Sequence, residues 1–110
     1  MAEKQETTFR KATYAWLDQL PNSYWESIQQ KAIKGTPDRA GVINGISVWL
    51  EYKTDEGELE EIQKVKIKKL RQAGAAVFVV QPHNWKRIKL VLEALSKYES
   101  KWWLTDGSEY

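Results

Sequence analysis

An asparagine-glycine pair, Asn44-Gly45, lies between two runs of β-forming residues, and it constrains the fold more than any other feature. The two runs are 39–43 and 46–53. Asn-Gly favours the two-residue turn of a β-hairpin, because both residues tolerate the positive φ angles that this turn requires. With Asn44-Gly45 at the centre of the turn, counting outward along the two strands places Asp38 opposite Glu51.

Two carboxylates and a lysine meet on one face of this predicted hairpin. Cross-strand partners share a face, and alternate residues of a strand point the same way, so Lys53 lies on the face of Asp38 and Glu51. Two carboxylates 4 Å apart repel by about 1 kcal/mol in water and by about 4 kcal/mol at an effective dielectric constant of about 20. A hairpin selected for stability alone would avoid this pairing. A divalent cation bound between the two side chains would remove the repulsion.

Length and composition limit the remaining possibilities. A chain of 110 residues forms one domain on a single core. The absence of cysteine excludes disulfides, thiolate catalysis and zinc fingers, so a metal site would have to use oxygen ligands. The only histidine, His83, follows Pro82 and is expected in a loop rather than in catalysis. The longest apolar run, 73–80, is too short to span a bilayer and the start of the chain has no apolar signal segment, which predicts a cytoplasmic protein with no membrane partner.

The segments around the hairpin predict an α/β domain, a small mixed β-sheet flanked by helices. Apolar residues at helical spacing precede the hairpin, and a second helix follows it and stops before Gly74. A continuous apolar run then indicates a strand covered on both faces, and a last amphipathic helix follows it. The predicted order α-β-β-β-α-β-α occupies residues 2–20, 24–29, 39–43, 46–53, 58–73, 75–80 and 85 into the 98–103 region.

Polar side chains also lie within the apolar sectors of two predicted helices. Gln63 and Lys66 project from the buried sector of the second helix, and Glu6 is in line with the apolar stripe of the first helix, with Glu3 at its edge. A long side chain at the boundary of the core, with its head group in solvent, is the alternative explanation. The apolar positions are Phe9, Ala12, Trp16, Leu17 and Leu20 on the first helix and Leu59, Ile62, Leu70 and Ala73 on the second.

The order of these residues resembles a known nuclease signature. Pro37-Asp38, followed after twelve residues by Glu51-Tyr52-Lys53, is the PD-(D/E)XK pattern. The wider match over roughly residues 6–81 is similar to the VRR-NUC branch, the virus-type replication-repair nucleases. It consists of GTPDR ahead of VING, then VWLEYKTDEGEL, then Gln63 and then AGAAVFVV. The resemblance implies a compact PD-(D/E)XK nuclease core in a single domain, residues 1–110, that hydrolyses phosphodiester bonds with Mg²⁺ or Mn²⁺.

The resemblance also implies the ligands of the metal ion. Asp38 and Glu51 would bind it, together with the backbone carbonyl of Tyr52 and with Glu6, either directly or through water. Whether Glu6 or Glu3 is the acid of the first helix stays open. These oxygen donors suit the hard cations Mg²⁺ and Mn²⁺.

The remaining polar residues would act on water and DNA. Lys53 would orient or deprotonate the attacking water or bind the scissile phosphate, and Gln63 would position a water molecule or Lys53. Basic residues outnumber acidic ones by only 17 to 15, but they are concentrated after residue 62. A solvated helical face is the alternative explanation for them. The candidate DNA-backbone contacts are Lys64, Lys66, Lys68, Arg71, Lys86, Arg87 and Lys89.

Stand-alone relatives of this family look like homodimers that cut four-way junctions. The resemblance therefore implies a dimeric, structure-selective endonuclease of the Holliday-junction-resolving type, acting in DNA repair or recombination in a bacterial or virus-infected cell. A monomeric flap or nicking endonuclease is one alternative, and a non-catalytic DNA-binding module is another. Trp16 and Trp85 are expected in the core. The candidate interface residues, which would otherwise close one end of the core, are Trp102, Trp103, Leu104 and the Tyr24-Trp25 segment.

Overall fold

A computed structural model of the chain describes residues 2–28 and 34–97, with side chains from residue 7 onward. Within these ranges the chain forms three helices and four strands in the predicted order, which confirms the α/β class. No helix in this part of the chain combines the length and the apolar character that a membrane span requires. The elements are α1 (Ala2–Asp18), β1 (Ser23–Ser27), β2 (Arg39–Ile43), β3 (Ile46–Tyr52), α2 (Glu61–Gln72), β4 (Ala76–Val80) and α3 (Trp85–Lys97).

The strands form one mixed sheet in the order β1-β2-β3-β4. The pairs β1–β2 and β2–β3 are antiparallel, whereas β4 runs parallel to β3 after the crossover through α2. The hairpin has the predicted register, with Ile43 opposite Ile46 and Gly41 opposite Val48. Asn44 has φ 49° and Gly45 has φ 83°, as the Asn-Gly turn requires.

The core lies between one face of the sheet and the helices α1 and α3. Trp16 and Trp85 both pack against it, in an edge-to-face contact with ring centroids 5.5 Å apart, which confirms their predicted core position. The fully buried apolar side chains are Leu17, Ile43, Val48, Leu50, Val80 and Leu92.

Trp25 belongs to this core, so its prediction as an interface residue is wrong. Its ring crosses Gly41 on the neighbouring strand, where an added Cβ would lie 2.4 Å from Cε3 of Trp25. Only glycine leaves room for the indole at this position. The adjacent residue Tyr24 points to the opposite face of the sheet, as strand alternation requires.

The buried face of α1 is turned slightly from the predicted one. Ala12 is exposed, and Thr13 lies in the core in its place. The Thr13 hydroxyl can be buried because it donates to the Arg10 carbonyl and lies 2.8 Å from the Tyr52 hydroxyl. A helical stripe of apolar residues alone therefore misplaces the centre of the packed face.

The helix α2 buries a narrower face than predicted. Ile67 is the buried residue of α2, whereas Ile62 and Ala73 are exposed, because α2 packs along β4, a strand at the edge of the sheet. On α3, Val91 is exposed beside the buried Ile88 and Leu92. Because β4 lies at the edge of the sheet, its residues are only partly buried, whereas the sequence predicted a strand covered on both faces. The predicted interface residues 102–104 and the side chains of Glu3 and Glu6 lie outside the described part of the chain.

Candidate functional site

The predicted site residues Asp38, Glu51, Lys53 and Gln63 line one concavity of about 350 Å³, at the end of the sheet where β2 begins and β3 ends. We call this the site concavity. The hairpin brings Asp38, Glu51 and Lys53 there, and the first turn of α2 brings Gln63. Its lining residues are Arg10, Asp38, Glu51, Tyr52, Lys53, Thr54, Gly57 and Gln63.

The backbone around it fixes the Asp38 carboxylate. Its Oδ2 accepts a hydrogen bond from the backbone N–H of Tyr52 at 2.8 Å, and its carbonyl accepts one from Ile28 at 2.9 Å. Asp38 is thereby tied to both neighbouring strands just before β2 starts. A carboxylate held by a main-chain donor, on a backbone that is itself hydrogen-bonded, needs little reorganisation to bind a cation or a substrate.

Glu51 is the buried partner of this pair, with only 3% of its surface exposed. The pKa of its carboxyl is raised from the usual value to about 7, chiefly by burial and then by the charge of Asp38, whereas Lys53 and Arg10 act in the opposite direction. The two carboxylates therefore resist being ionised together at neutral pH. A bound cation would favour the doubly ionised form.

Gln63 connects the site to the start of α2. Its Oε1 accepts a hydrogen bond from the backbone N–H of Glu60, the N-cap of the helix, at 2.9 Å. Its Nε2 lies 3.4 Å from each carboxylate oxygen of Glu51. One side chain thus stabilises the helix start and contacts the buried acid. Glu60 as N-cap is also why α2 begins at Glu61 rather than at the predicted residue 58.

Tyr52 is the last residue of β3 and Lys53 follows it, at the floor of the site. The backbone N–H of Lys53 donates to the Val80 carbonyl at 3.0 Å, so β4 supports the segment that carries the lysine. The phenol of Tyr52 is buried against Thr13, and burial raises its pKa, so it remains protonated at neutral pH. Lys66, predicted to touch a phosphate, is half-buried on α2 and does not line the site concavity.

Arg10 is a member of the site concavity that the sequence analysis missed. Its Nη2 lies 3.7 Å from Oδ2 of Asp38, and its guanidinium lies 5.1 Å from the centre of the Tyr52 ring. Arg10 is therefore a second positively charged side chain, besides Lys53, that faces the two carboxylates. One signal was available in the sequence, because Arg10 follows Glu6 by one helical turn and so lies on the same side of α1.

The donor set fits a hard divalent cation bound through few protein ligands. Among the side chains that the structure describes, no group of three or more His, Cys, Asp or Glu could hold a metal ion. Asp38 and Glu51 supply a carboxylate pair, and Mg²⁺ is commonly held by one or two carboxylates with water and substrate phosphates completing its shell. The Tyr52 carbonyl and Glu6 as further ligands stay predictions.

The predicted DNA-backbone contacts do not form one uniform surface. Lys64, Lys68 and Arg71 line a second concavity of about 420 Å³ on α2. Lys64 pairs with Glu61 at 3.2 Å, and Arg71 donates to the Val77 carbonyl at 2.8 Å, which ties α2 to β4. On α3, Lys86 and Arg87 are exposed.

Two further positively charged or titratable side chains have specific neighbours. The ammonium of Lys89 lies 6.0 Å from the centre of the Trp16 ring. His83 lies in the turn before α3, which confirms its predicted loop position. Its Nδ1 is 2.6 Å from Oδ1 of Asp55, and hydrogen bonds from His83 lower the pKa of the Asp55 carboxyl. His83 therefore ties the loop after Lys53 to the start of α3 and does not line the site concavity.

Comparison of the chain with protein-family models, curated proteins and solved structures found no match in any of the three. A functional conclusion therefore depends on the geometry and chemistry of the site concavity.

Proposed function

We propose that this chain is a metal-dependent DNA endonuclease of the VRR-NUC branch of the PD-(D/E)XK nucleases. The observation that carries the proposal is the convergence of Asp38, Glu51, Lys53 and Gln63 on one concavity. The paired carboxylates are costly for a purely structural hairpin, as the raised pKa of Glu51 indicates. Their pairing is explained if they hold Mg²⁺ or Mn²⁺.

Each residue has a distinct part in phosphodiester hydrolysis. A bound cation supplies Lewis-acid stabilisation of the phosphate and a more acidic water. Asp38 and Glu51 would hold that cation, and Gln63 would orient Glu51. Lys53 would hold the attacking water, or neutralise charge on the non-bridging oxygens as it enters. Water adds to phosphorus, the bond to the 3′ oxygen breaks, and that oxygen leaves with a proton.

The proposed substrate is branched DNA, a four-way junction in the first instance, cut by a homodimer. Resolution of a junction needs two cuts on opposed strands, and one chain of this size carries one site concavity among its described residues. With Trp25 in the core, the interface candidates reduce to Tyr24 and residues 102–104. A monomeric flap or nicking endonuclease would use the same chemistry with a single site.

The experiment is a cleavage assay on labelled four-way junction, flap, nicked, single-stranded and linear duplex DNA, each with Mg²⁺, Mn²⁺ or EDTA. We expect cleavage with either metal ion and none with EDTA. Asp38→Asn and Glu51→Gln should each abolish cleavage, because each removes one ligand carboxylate while keeping the side-chain volume. Glu93→Gln on α3 is the matched control and should cut like the wild type.

Three outcomes decide between the candidate functions. Cleavage that persists in EDTA, or in both carboxylate variants, would contradict the metal assignment. Metal-dependent cleavage of a flap or nick in preference to the junction would favour the monomeric enzyme. DNA binding with no cleavage of any substrate would favour the non-catalytic module.

A further inference from the structure

Among the residues that the structure describes, one face of the sheet is left largely uncovered next to the site concavity. Helices α1 and α3 pack on the opposite face, and α2 covers this one only along β4. Tyr24 is 65% exposed and its cross-strand partner Val42 is 46% exposed. We call the five side chains Tyr24, Ala40, Val42, Ser47 and Trp49 the open sheet face.

The strand register makes the open sheet face continuous with the carboxylate pair. Ala40 and Trp49 are cross-strand partners. Ala40 follows Asp38 by two residues and Trp49 precedes Glu51 by two, so all four point to the same face. Two residues along a strand span about 6.6 Å. The indole therefore starts one such step from the buried acid, about the separation of adjacent nucleotides in an extended strand.

The Trp49 ring is held in place without being part of the core. Its Nε1 donates to Oγ of Ser47 at 3.0 Å, which requires the indole to lean along β3. Among the described residues, Trp49 is neither packed against the hydrophobic core nor paired with another ring. The Trp49 side chain is half-buried, and its cross-strand neighbour Ala40 carries only a methyl group. The indole thus extends from Trp49 toward Ser47, on the open sheet face and on the side of Trp49 away from Glu51.

We propose that the open sheet face binds unpaired nucleobases next to the phosphate that is hydrolysed, with Trp49 as the main stacking surface. The proposal rests on the proposed nuclease function and narrows its substrate to DNA with single-stranded or unstacked nucleotides beside the cut. Every base has a π-face, so stacking on an aromatic side chain recognises an unpaired strand regardless of its sequence. In duplex DNA the same base faces are covered by their neighbours.

The charges around the open sheet face orient such a strand. Arg10 and Lys53 lie at its site end and attract the phosphates. Glu26 lies on β1 opposite Ala40, at the outer edge of the row that contains Trp49, and its carboxylate accepts a hydrogen bond from the Tyr24 hydroxyl. It repels phosphates from that edge of the sheet. The backbone would then follow the site concavity while the bases lie over β3 and β2. A second copy of the chain on this face would cover the approach to Asp38 and Glu51, so the proposal assigns it to DNA. Tyr24 then no longer counts as an interface candidate, which leaves residues 102–104.

The test measures binding in EDTA, where no cleavage takes place. Fluorescently labelled oligo(dT) and a duplex of equal length are titrated with the wild type, Trp49→Ala, Trp49→Phe and Leu90→Ala. Leu90 is the matched control, since it is 64% exposed on α3, the helix that covers the opposite face. We expect Trp49→Ala to weaken oligo(dT) binding about 5- to 150-fold with little change for the duplex. Trp49→Phe should retain most of the affinity, and Leu90→Ala should match the wild type.

A second measurement keeps the test decisive if Trp49→Ala fails to fold. The indole N–H resonance of Trp49 in the wild type should shift when oligo(dT) is added, whereas that of the core residue Trp16 should not. Failure of the wild type to bind oligo(dT), an unshifted Trp49 resonance, or equal losses on oligo(dT) and duplex would overturn the proposal. A loss of self-association in Trp49→Ala without a change in DNA affinity would assign the face to a second copy instead.

The results that would contradict the nuclease proposal differ from those that would contradict the stacking proposal. If the wild type cuts DNA with Mg²⁺ but its oligo(dT) affinity does not depend on Trp49, the nuclease proposal stands and the stacking proposal fails. If the protein cuts no DNA but binds oligo(dT) through Trp49, the nuclease proposal fails and the open sheet face remains a single-strand-binding surface.

Discussion

At the scale of single residues, the unusual feature of this chain is an acid that is buried beside another acid. Glu51 is almost without solvent contact, and its contacts are a neutral amide, Gln63, and a neighbouring carboxylate, Asp38. Arg10 and Lys53 offset part of the repulsion. The unfolding free energy therefore depends on whether Glu51 carries a proton.

We expect the protein to lose stability as the pH rises from about 4.5 to about 7 in EDTA. The pKa of Glu51 is raised to about 7 in the folded state from 4.5, so the folded state binds a proton that the unfolded state has released. The protonated Glu51 carboxyl stabilises the folded state fully below the unfolded-state pKa. This contribution to the free energy of unfolding, about 3 kcal/mol at most, is lost as the pH rises through the folded-state pKa. Thermal unfolding of the wild type and of Glu51→Gln between pH 4 and 8 isolates this contribution.

Metal addition provides the control for that measurement. Mg²⁺ should raise the unfolding temperature of the wild type at pH 8 and leave that of Glu51→Gln nearly unchanged. If the difference in unfolding temperature between the wild type and Glu51→Gln does not vary with pH, the pKa of Glu51 is the same in the folded and unfolded states.

Lys53 and the lysines of α2 should differ in what they contribute to turnover. Lys53→Ala should lower kcat on saturating DNA by about 100-fold or more, since its proposed role is to act on the reacting groups. Lys64→Ala and Lys68→Ala should instead weaken DNA binding and reduce its salt dependence, with kcat nearly unchanged. Steady-state cleavage and binding titrations at several salt concentrations measure both effects. Equal binding losses in all three variants would make Lys53 an ordinary phosphate contact.

At the scale of the elements, Gln63 couples the stability of α2 to the site. Gln63→Ala removes the hydrogen bond to the Glu60 N–H and should cost about 0.5–1 kcal/mol of unfolding free energy as well as activity. Gln63→Glu keeps an acceptor for that N–H but adds a third carboxylate beside Glu51. Its stability should therefore depend on Mg²⁺ more strongly than that of the wild type, as thermal unfolding with and without the cation would show. An unchanged stability of Gln63→Ala would mean that water replaces the cap.

The parts of this fold that local chemistry determines were predictable from the sequence. The Asn44-Gly45 turn sets the hairpin register, and the register alone places Asp38 beside Glu51. What depends on distant packing was not predictable. Thr13 is buried because Tyr52 reaches its hydroxyl from another element, and Arg10 lies at the site because of how α1 rests on the sheet. The apolar pattern of α1 indicates neither the burial of Thr13 nor the position of Arg10 at the site.

At the scale of the whole molecule, the number of sites that act together decides which DNA can be resolved. Sedimentation at micromolar concentration should give about twice the 12.8 kDa mass of one chain if the homodimer forms. Its interface would need about 800 Å² per subunit. Trp103→Glu should reduce dimerisation and impair junction resolution more than nicking, with Leu90→Glu on α3 as the control. A protein that stays monomeric both free and on junction DNA would contradict the resolvase and favour the flap or nicking enzyme.

The two-residue turn also has a consequence for how quickly the chain folds. The β2–β3 hairpin is a local contact, whereas β4 reaches β3 only after the α2 crossover, so the hairpin is expected to form first. Asp38 and Glu51 then meet before Gln63 is in place, and their repulsion slows the early step. Refolding followed by stopped flow in EDTA should accelerate in Asp38→Asn, and in the wild type when Mg²⁺ is added. If only the unfolding rate responds, the carboxylates meet after the rate-limiting barrier.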